Sequence, residues 1–451
     1  MIKTTELVTI KKMKSPKSNS LIFAAIISIV LLFVSYCLKN SPKPTTGKEA
    51  VFIKSIEKTR TEKDKNKNKE WLDSILMVNT CYDLDLVNHY DMLLFEPDKV
   101  TNDTTMQSPR KRKKRGNQAV VNRKDLFLFL KQIKDYNYKY IILDIQLDDL
   151  NDSSYNDTSS SVIYNDSLKN LILKMKRICI PRSELFSLDK KLYPIAGWAY
   201  YRISYKESGF IKYPLTKDET PSMALMAYDN KGIDNYFNLL YFDKHRLCQN
   251  NLIVQFSNLP LSADDLLNPH DSTGDKKSKV KFIDLASDHW RELLSRELVA
   301  NKLVSNNIIL IGDYFSNDIH DTFAGQQPGV LIHANAYINL KDGKHLVNWW
   351  VVLLLFAVYY AFSYYIICGK KLREVRIIGP ILKPLLVFPL VNFFVSFISF
   401  GLVFLLLSCC LYSFADYYYS ILLPSLWFSV LPHIIQYYQE SKSNRKKQKI
   451  Q

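Results

Sequence analysis

The sequence predicts an α/β protein: a mainly parallel sheet with helices on both faces, plus four transmembrane α-helices. Three observations carry this expectation. Short, continuously apolar runs alternate with segments of helical spacing through the middle of the chain. Strands buried on both faces read as unbroken apolar runs, and helical crossovers between them make the sheet parallel. The remaining apolar residues crowd into Leu21–Leu38 and the last quarter of the 451 residues, with basic blocks abutting them. Lys and Arg in short segments beside apolar spans mark the cytoplasmic side of a membrane.

The net charge of +16 follows largely from that topology. Residues 1–20 form a basic tail. Lys370, Lys371, Arg373 and Arg376 fill a loop, and residues 438–451 form a second basic tail. A nucleic-acid-binding protein needs a basic face on a folded domain instead. Of the seven cysteines, Cys81, Cys179 and Cys248 fall in the central region and are expected to be buried thiols. Their spacing matches no metal site.

The first span is residues 21–38. Eighteen residues at about 1.5 Å each give roughly 27 Å, close to the hydrocarbon thickness of a bilayer. A signal peptide is the rival reading, but no small-x-small cleavage site follows cleanly. Residues 39–69 read as a linker.

The domain expected over residues 70–345 begins with a strand at Ser74–Asn79. A helix follows at Arg123–Tyr136, with Leu126, Phe129, Leu130 and Ile133 on one face. Further elements are a strand at Tyr140–Ile145, a short helix at Leu168–Lys176 and a strand entered through Arg177–Ile180. Then come a strand at Leu252–Phe256, a helix at Asp288–Asn301 and a strand at Asn307–Ile311. Two polar insertions, 98–119 and 148–166, read as solvated loops. The first holds the basic run Arg110–Arg115, for which a plain surface loop and an anionic partner are the two readings.

The later spans are 349–368, 386–411 and 418–437. An even number of spans puts both basic tails in the cytoplasm and the domain outside it. The spans hold almost no ionisable residues, which speaks against a transport pathway. Neither a P-loop nor Gly-x-Ser-x-Gly occurs, and Ser222 and Ser316 lie in no nucleophile-elbow context. The chain is therefore not expected to be an enzyme, and no cofactor is expected.

The segment Asn307–Leu340 reads NIILIGDYFSNDIHDTFAGQQPGVLIHANAYINL. It resembles the end of the CHASE2 domain, an extracytoplasmic sensor module of bacterial receptors. Ile311, Gly312, Asp313, Asp318, Asp321, Pro328, Gly329, Val330, Ile332, His333, Ala334, Asn335 and Ala336 stand at matching places. Ser208–Leu215 (SGFIKYPL), Pro221–Ala227 (PSMALMA) and the run ending at Asp144 resemble it more weakly, with Lys212 where Arg is common. The resemblance covers about residues 70–345 plus the spans. It implies ligand sensing at a bacterial inner membrane. Typical members continue into a cytoplasmic kinase, cyclase or cyclic-dinucleotide enzyme. This chain ends about fourteen residues past its last expected span, so a sensing role implies a partner membrane protein. Self-association is also open. A structural envelope protein, whose outer domain docks a neighbour, is the alternative.

Ligands of open α/β sheets bind beyond the carboxyl ends of the strands. That rule selects Asn79, Asp144, Arg182 and Asp313 at strand ends, Asp318, His320 and Asp321 in the next turn, and His333 and Asn335 opening the next helix. Together they offer a pocket for a polar ligand or a divalent cation. The alternatives are turn and helix caps for the aspartates and a satisfied core position for His333. No metal site is assigned, since a metal needs a defined set of three or four ligands.

Overall fold

The computed structural model describes residues 18–39, 69–81, 83–90, 114–147, 160–182, 188–199, 212–217, 220–228, 234–236, 240–243, 246–253, 281–315, 318–322, 325–368, 389–415 and 421–448. They form two compact units, one from Pro42 to Leu346 and one from both ends of the chain.

The first unit is built on a six-stranded sheet. Its strands are β1 (Ile75–Asn79), β2 (Tyr140–Leu143), β3 (Ile178–Arg182), β4 (Ala196–Trp198), β5 (Lys281–Asp284) and β6 (Ile308–Gly312). The order across the sheet is β5-β1-β6-β2-β3-β4, and every pairing is parallel. β1, β2 and β6 lie centrally and are buried throughout, which is why their sequences are unbroken apolar runs.

Successive strand residues point to opposite faces. Leu76, Val78, Ile141, Leu143, Ile309 and Ile311 face one side. There they meet the helices Arg123–Ile133, Ser160–Lys174, His289–Ser295 and Glu297–Val304 through Leu126, Phe129, Leu168, Ile172, Trp290 and Val304. Asn122 starts the first of these helices, its side chain accepting from the backbone of Lys124 and Asp125. The opposite face of the sheet is covered by the helices Met223–Tyr228 and Gly329–Lys341, which also pack on each other. The second of these is buried from Gly329 to Leu340, so it belongs to the core.

Several expectations are corrected. Asn251–Ile253 pairs antiparallel with Lys212–Pro214, outside the main sheet, and residues 254–256 lie outside the described residues. Within the insertion 98–119, Lys114–Val121 is a strand pairing antiparallel with Leu84–Tyr90; residues 98–113 lie outside the described residues. Within 148–166, the helix starts already at Ser160. The helix expected over Asp288–Asn301 is two, broken where Arg296 is extended. A short ribbon of β7 (Ile319–Thr322) and β8 (Gly325–Pro328) precedes the last domain helix.

The second unit holds the helices Ser18–Lys39, Trp349–Ile367, Pro389–Ala415 and Leu422–Gln448. Three of them carry stretches long and apolar enough to cross a membrane: Ser20–Cys37, Trp349–Ile367 and Phe393–Tyr412. All four contribute to one core, with Leu31, Leu355, Tyr359, Phe404 and Phe428 among its members. The Tyr359, Phe404 and Phe428 rings lie 5.7–6.0 Å apart, within the range of favourable aromatic pairs. Phe33, Leu353, Phe394, Ile398 and Leu406 point outward.

Candidate ligand-binding cleft

β2 and β6 are neighbours whose following connections leave to opposite faces. After β2 the chain enters Ser160–Lys174 on one face; after β6 it reaches Gly329–Lys341 on the other. Such a switch point leaves a crevice at the carboxyl ends of the strands. A cavity of about 40 Å³ lies there, lined by Asp144, Ala199, Asp318, His320, Gly329, Ile332 and His333. At roughly 15 Å³ per water centre, it has room for about three waters or one small polar group.

Asp144 directly follows β2, and its backbone N–H still donates to Ile311 O at 2.8 Å. It therefore projects on the same side as Ile142, toward Gly329–Lys341. Gly312 at the end of β6 makes room beside it. A Cβ on Gly312 would sit 3.1 Å from Val330 Cβ and 3.5 Å from Asp144 Cβ. His333 projects from the second turn of the helix, and its Nε2 lies 3.4 Å from Asp144 Oδ2.

The other side of the imidazole meets Tyr213, with the phenol oxygen 2.8 Å from Nδ1. That oxygen accepts from Ala224 N–H at 3.2 Å. Nδ1 thus faces the Tyr213 hydroxyl, and Nε2 is the ring nitrogen turned toward Asp144. Burial holds His333 down at about 3, and His320 adds to the effect. Burial also pushes the Asp144 carboxyl well above the ordinary carboxylate range, with Asp318 nearby as the next cause. Burial thus favours the uncharged form of both groups, and Asp318 further disfavours charge on Asp144.

The ribbon brings in the second pair. Asp318 stands just before β7, and its Oδ1 is 2.9 Å from His320 Nε2. Its backbone oxygen accepts from Gly329 N–H at 2.8 Å, and its carboxylate lies over the Gly329 Cα. A Cβ on residue 329 would collide with Asp318 Oδ2 and push that carboxylate aside.

Of the nine residues selected from the sequence, Asp144, Asp318, His320 and His333 converge here. The other five do different work. Asn79 accepts from the backbone of Cys81 and Tyr314, and its amide reaches Asp284 Oδ1 at 3.4 Å. Arg182 donates to Thr220 Oγ1 and lies over the Tyr193 ring. Asp313 caps its own turn through Phe315 N–H at 2.9 Å. Asp321 is exposed, with Gln326 Nε2 at 3.5 Å. Asn335 is buried and donates to Leu331 O within the helix. His333 does not open its helix, which starts at Gly329. Sequence reasoning missed the Tyr213 relay and the Ala199 wall. Tyr213 lay within SGFIKYPL, but only the fold reveals its partner. Among the described residues, no group of His, Cys, Asp or Glu is arranged to hold a metal ion.

A parallel α/β sheet with a small polar cleft at its switch point thus stands in a chain that also carries three helices long and apolar enough to cross a membrane. The chain belongs to the CHASE2 domain family, which it matches over residues 100–366. That family is a sensor-type extracytoplasmic domain. The match runs on through most of the helix Trp349–Ile367. No curated protein and no solved structure matches the chain.

Proposed function

We propose that this protein is a membrane-anchored sensor subunit whose cleft takes up a small polar ligand and whose output passes to a partner membrane protein. One observation carries the reading: the switch-point cleft gathers Asp318 and His320 beside the buried Asp144–His333 pair. Hydrogen-bonding groups in a small, partly buried cleft discriminate between polar ligands, because an unmatched buried group is costly.

The protein has four spans, with both tails in the cytoplasm of a bacterial cell and the CHASE2 domain outside its inner membrane. Leu422–Gln448 supports the fourth, since Phe428 and Leu431 join the core made by the other three. The basic tails support the orientation. The chain acts by binding and not by catalysis. The helix Gly329–Lys341 offers Gly329, Ile332 and His333 to the cleft, and the chain continues through Asp342–Asn348 into Trp349–Ile367. A ligand that favours one setting of the first helix is expected to shift the population of the second.

The test is thermal melting of the full-length protein in detergent against a panel of small polar molecules. A ligand at a hundredfold its Kd is expected to stabilise by about 2.7 kcal/mol, and less in Asp144→Asn. Stabilisation by purified envelope proteins alone, with every small molecule silent, would favour a docking role and reject this reading.

A further inference from the structure

We propose that the amino-terminal edge of the six-stranded sheet is a docking surface for anionic phospholipid headgroups, which seats the domain on the membrane that its own helices enter. The inference goes beyond the cleft. It rests on the membrane anchorage of the chain, which incorporation into lipid discs checks separately.

The pairing register sets the residues of this edge side by side. Lys281 begins β5, and Asn307, Lys139 and Arg177 stand just before β6, β2 and β3. Backbone bonds hold the edge together: Lys139 N–H donates to Asn307 O and Ile141 N–H to Arg177 O, both at 2.8 Å. From β5 to β3 the row crosses four strand spacings, or about 19 Å. The helices on one face add Lys134, which follows Arg123–Ile133, and Lys302, in the last turn of Glu297–Val304. Lys176 lies between Ser160–Lys174 and β3.

Lys134, Lys139, Lys176, Arg177 and Lys302 are exposed. Asp135 pairs with Lys134 at 3.8 Å, and Asp73 lies beside Lys281. Among the described residues, no carboxylate lies within ion-pair distance of Lys139, Lys176 or Lys302. A lysine at a helix carboxyl end complements the helix dipole, which accounts for Lys134 and Lys302. Lys139, Arg177 and Lys281 precede or begin strands, where no such dipole acts. Crowded cations repel each other, so the edge calls for anions from outside the domain.

The chain joins its apolar helices through this same edge. β1 receives it from Ser18–Lys39 and starts here, at Ile75. The helix Gly329–Lys341 starts beside Gly312, at the carboxyl edge, and packs on β6 and β2. Its thirteen residues extend about 20 Å, past the roughly 16 Å of the five-residue β6. It therefore ends at the amino edge. Seven residues, Asp342–Asn348, then lead to Trp349, a reach of about 25 Å at most. That tether keeps the cationic edge within reach of the headgroups around Trp349. Each Lys or Arg beside an anionic lipid surface favours the docked state about fivefold.

The experiment places the full-length chain in lipid discs and follows acylation of each lysine by mass spectrometry. One set of discs is phosphatidylcholine alone, and the other is phosphatidylcholine and phosphatidylglycerol in equal parts. In the phosphatidylglycerol discs, acylation of Lys134, Lys139, Lys176 and Lys302 is expected to slow about fivefold or more. Lys124, exposed at the carboxyl edge, is expected to react alike in both. The protection is expected to vanish at about 1 M salt, where the screening length falls to about 3 Å. Lys139→Glu, Lys176→Glu and Lys302→Glu together are expected to abolish it at Lys134, with the melting temperature little changed because all three side chains are exposed. Equal acylation in the two discs, or protection that persists at about 1 M salt, would overturn the proposal. Protection in native membranes that is absent from the phosphatidylglycerol discs would overturn it too, and would assign the edge to an acidic protein.

Discussion

Replacing Asp144 by Asn is expected to expose a pH dependence that the native pair hides. Between about pH 4 and 6.5 the unfolded chain carries an ionised Asp144 and a protonated His333. In the folded cleft burial raises the carboxyl and lowers the imidazole, favouring the uncharged form of both. The two shifts oppose each other in proton count, so the pair adds less slope to stability in that window than His333 would alone. Asparagine still accepts from His333 Nε2 but binds no proton. His333, pushed down to about 3, then binds fewer protons folded than unfolded. Its contribution is complete above the unfolded value near 6.5 and is lost as pH falls toward 3. From pH 6.5, where the unfolded imidazole is half protonated, to pH 5.0 the loss is roughly 1.6 kcal/mol, which is about 3–7 °C in a domain of this class. The assay is tryptophan-fluorescence melting of the full chain at both pH values. The variant-minus-native difference removes groups that titrate alike in both. A difference constant to within about 0.5 kcal/mol, inside the scatter between independent sites, would refute the buried neutral imidazole. His333→Gln carries the opposite sign, with stability falling as pH rises through the same window.

Gly329→Ala is expected to cost about 1–3 kcal/mol by displacing the Asp318 carboxylate, and Asp318→Ala in the same chain should recover much of it in melting curves. Burial, then Asp125 and Asp284, raise Asp83 to about 6. Its ionised folded form is penalised as pH rises from about 4 toward 6. Asp83→Asn should therefore stabilise at pH 7.5 by about 1–2 kcal/mol after allowance for solvent screening, and by little at pH 4. A reporter enzyme active only outside the cytoplasm is expected to be silent when fused after Gln451 and active when inserted between Asp271 and Lys276; activity at Gln451 would contradict the even number of spans.

What the sequence revealed depended on how local the signal was. β1, β2 and β6 were legible because central parallel strands are apolar on both faces. The same signal misled at Leu252–Phe256, since an apolar run does not specify its partner, and Asn251–Ile253 pairs with Lys212–Pro214 instead. β4 (AGW) and β5 (KFID) are edge strands too short to show periodicity. The ribbon residues IHDT and GQQP have little strand character of their own.

The strand-end rule found Asp144 because it depends on one strand only. It also selected Arg182, two strand positions away from β6, where the side chain turns to Thr220 and Tyr193. Which strand ends face each other depends on strand order, set by contacts such as Ile308 with Tyr140 over a separation of 168 residues. Tyr213 reaches His333 over a separation of 120 residues, and no spacing rule connects them.

The central claim is that the protein senses through its CHASE2 domain and passes the signal to a partner membrane protein. The most direct measurement is crosslinking in intact cells, gentle detergent extraction of the tagged full-length chain, and mass spectrometry of the captured proteins. The expected result is a membrane protein bearing a cytoplasmic kinase, cyclase or transcription-control domain, captured in amounts that change in Asp144→Asn. Recovery of surface-assembly proteins alone, or of the chain by itself, unchanged by that substitution, would contradict the account.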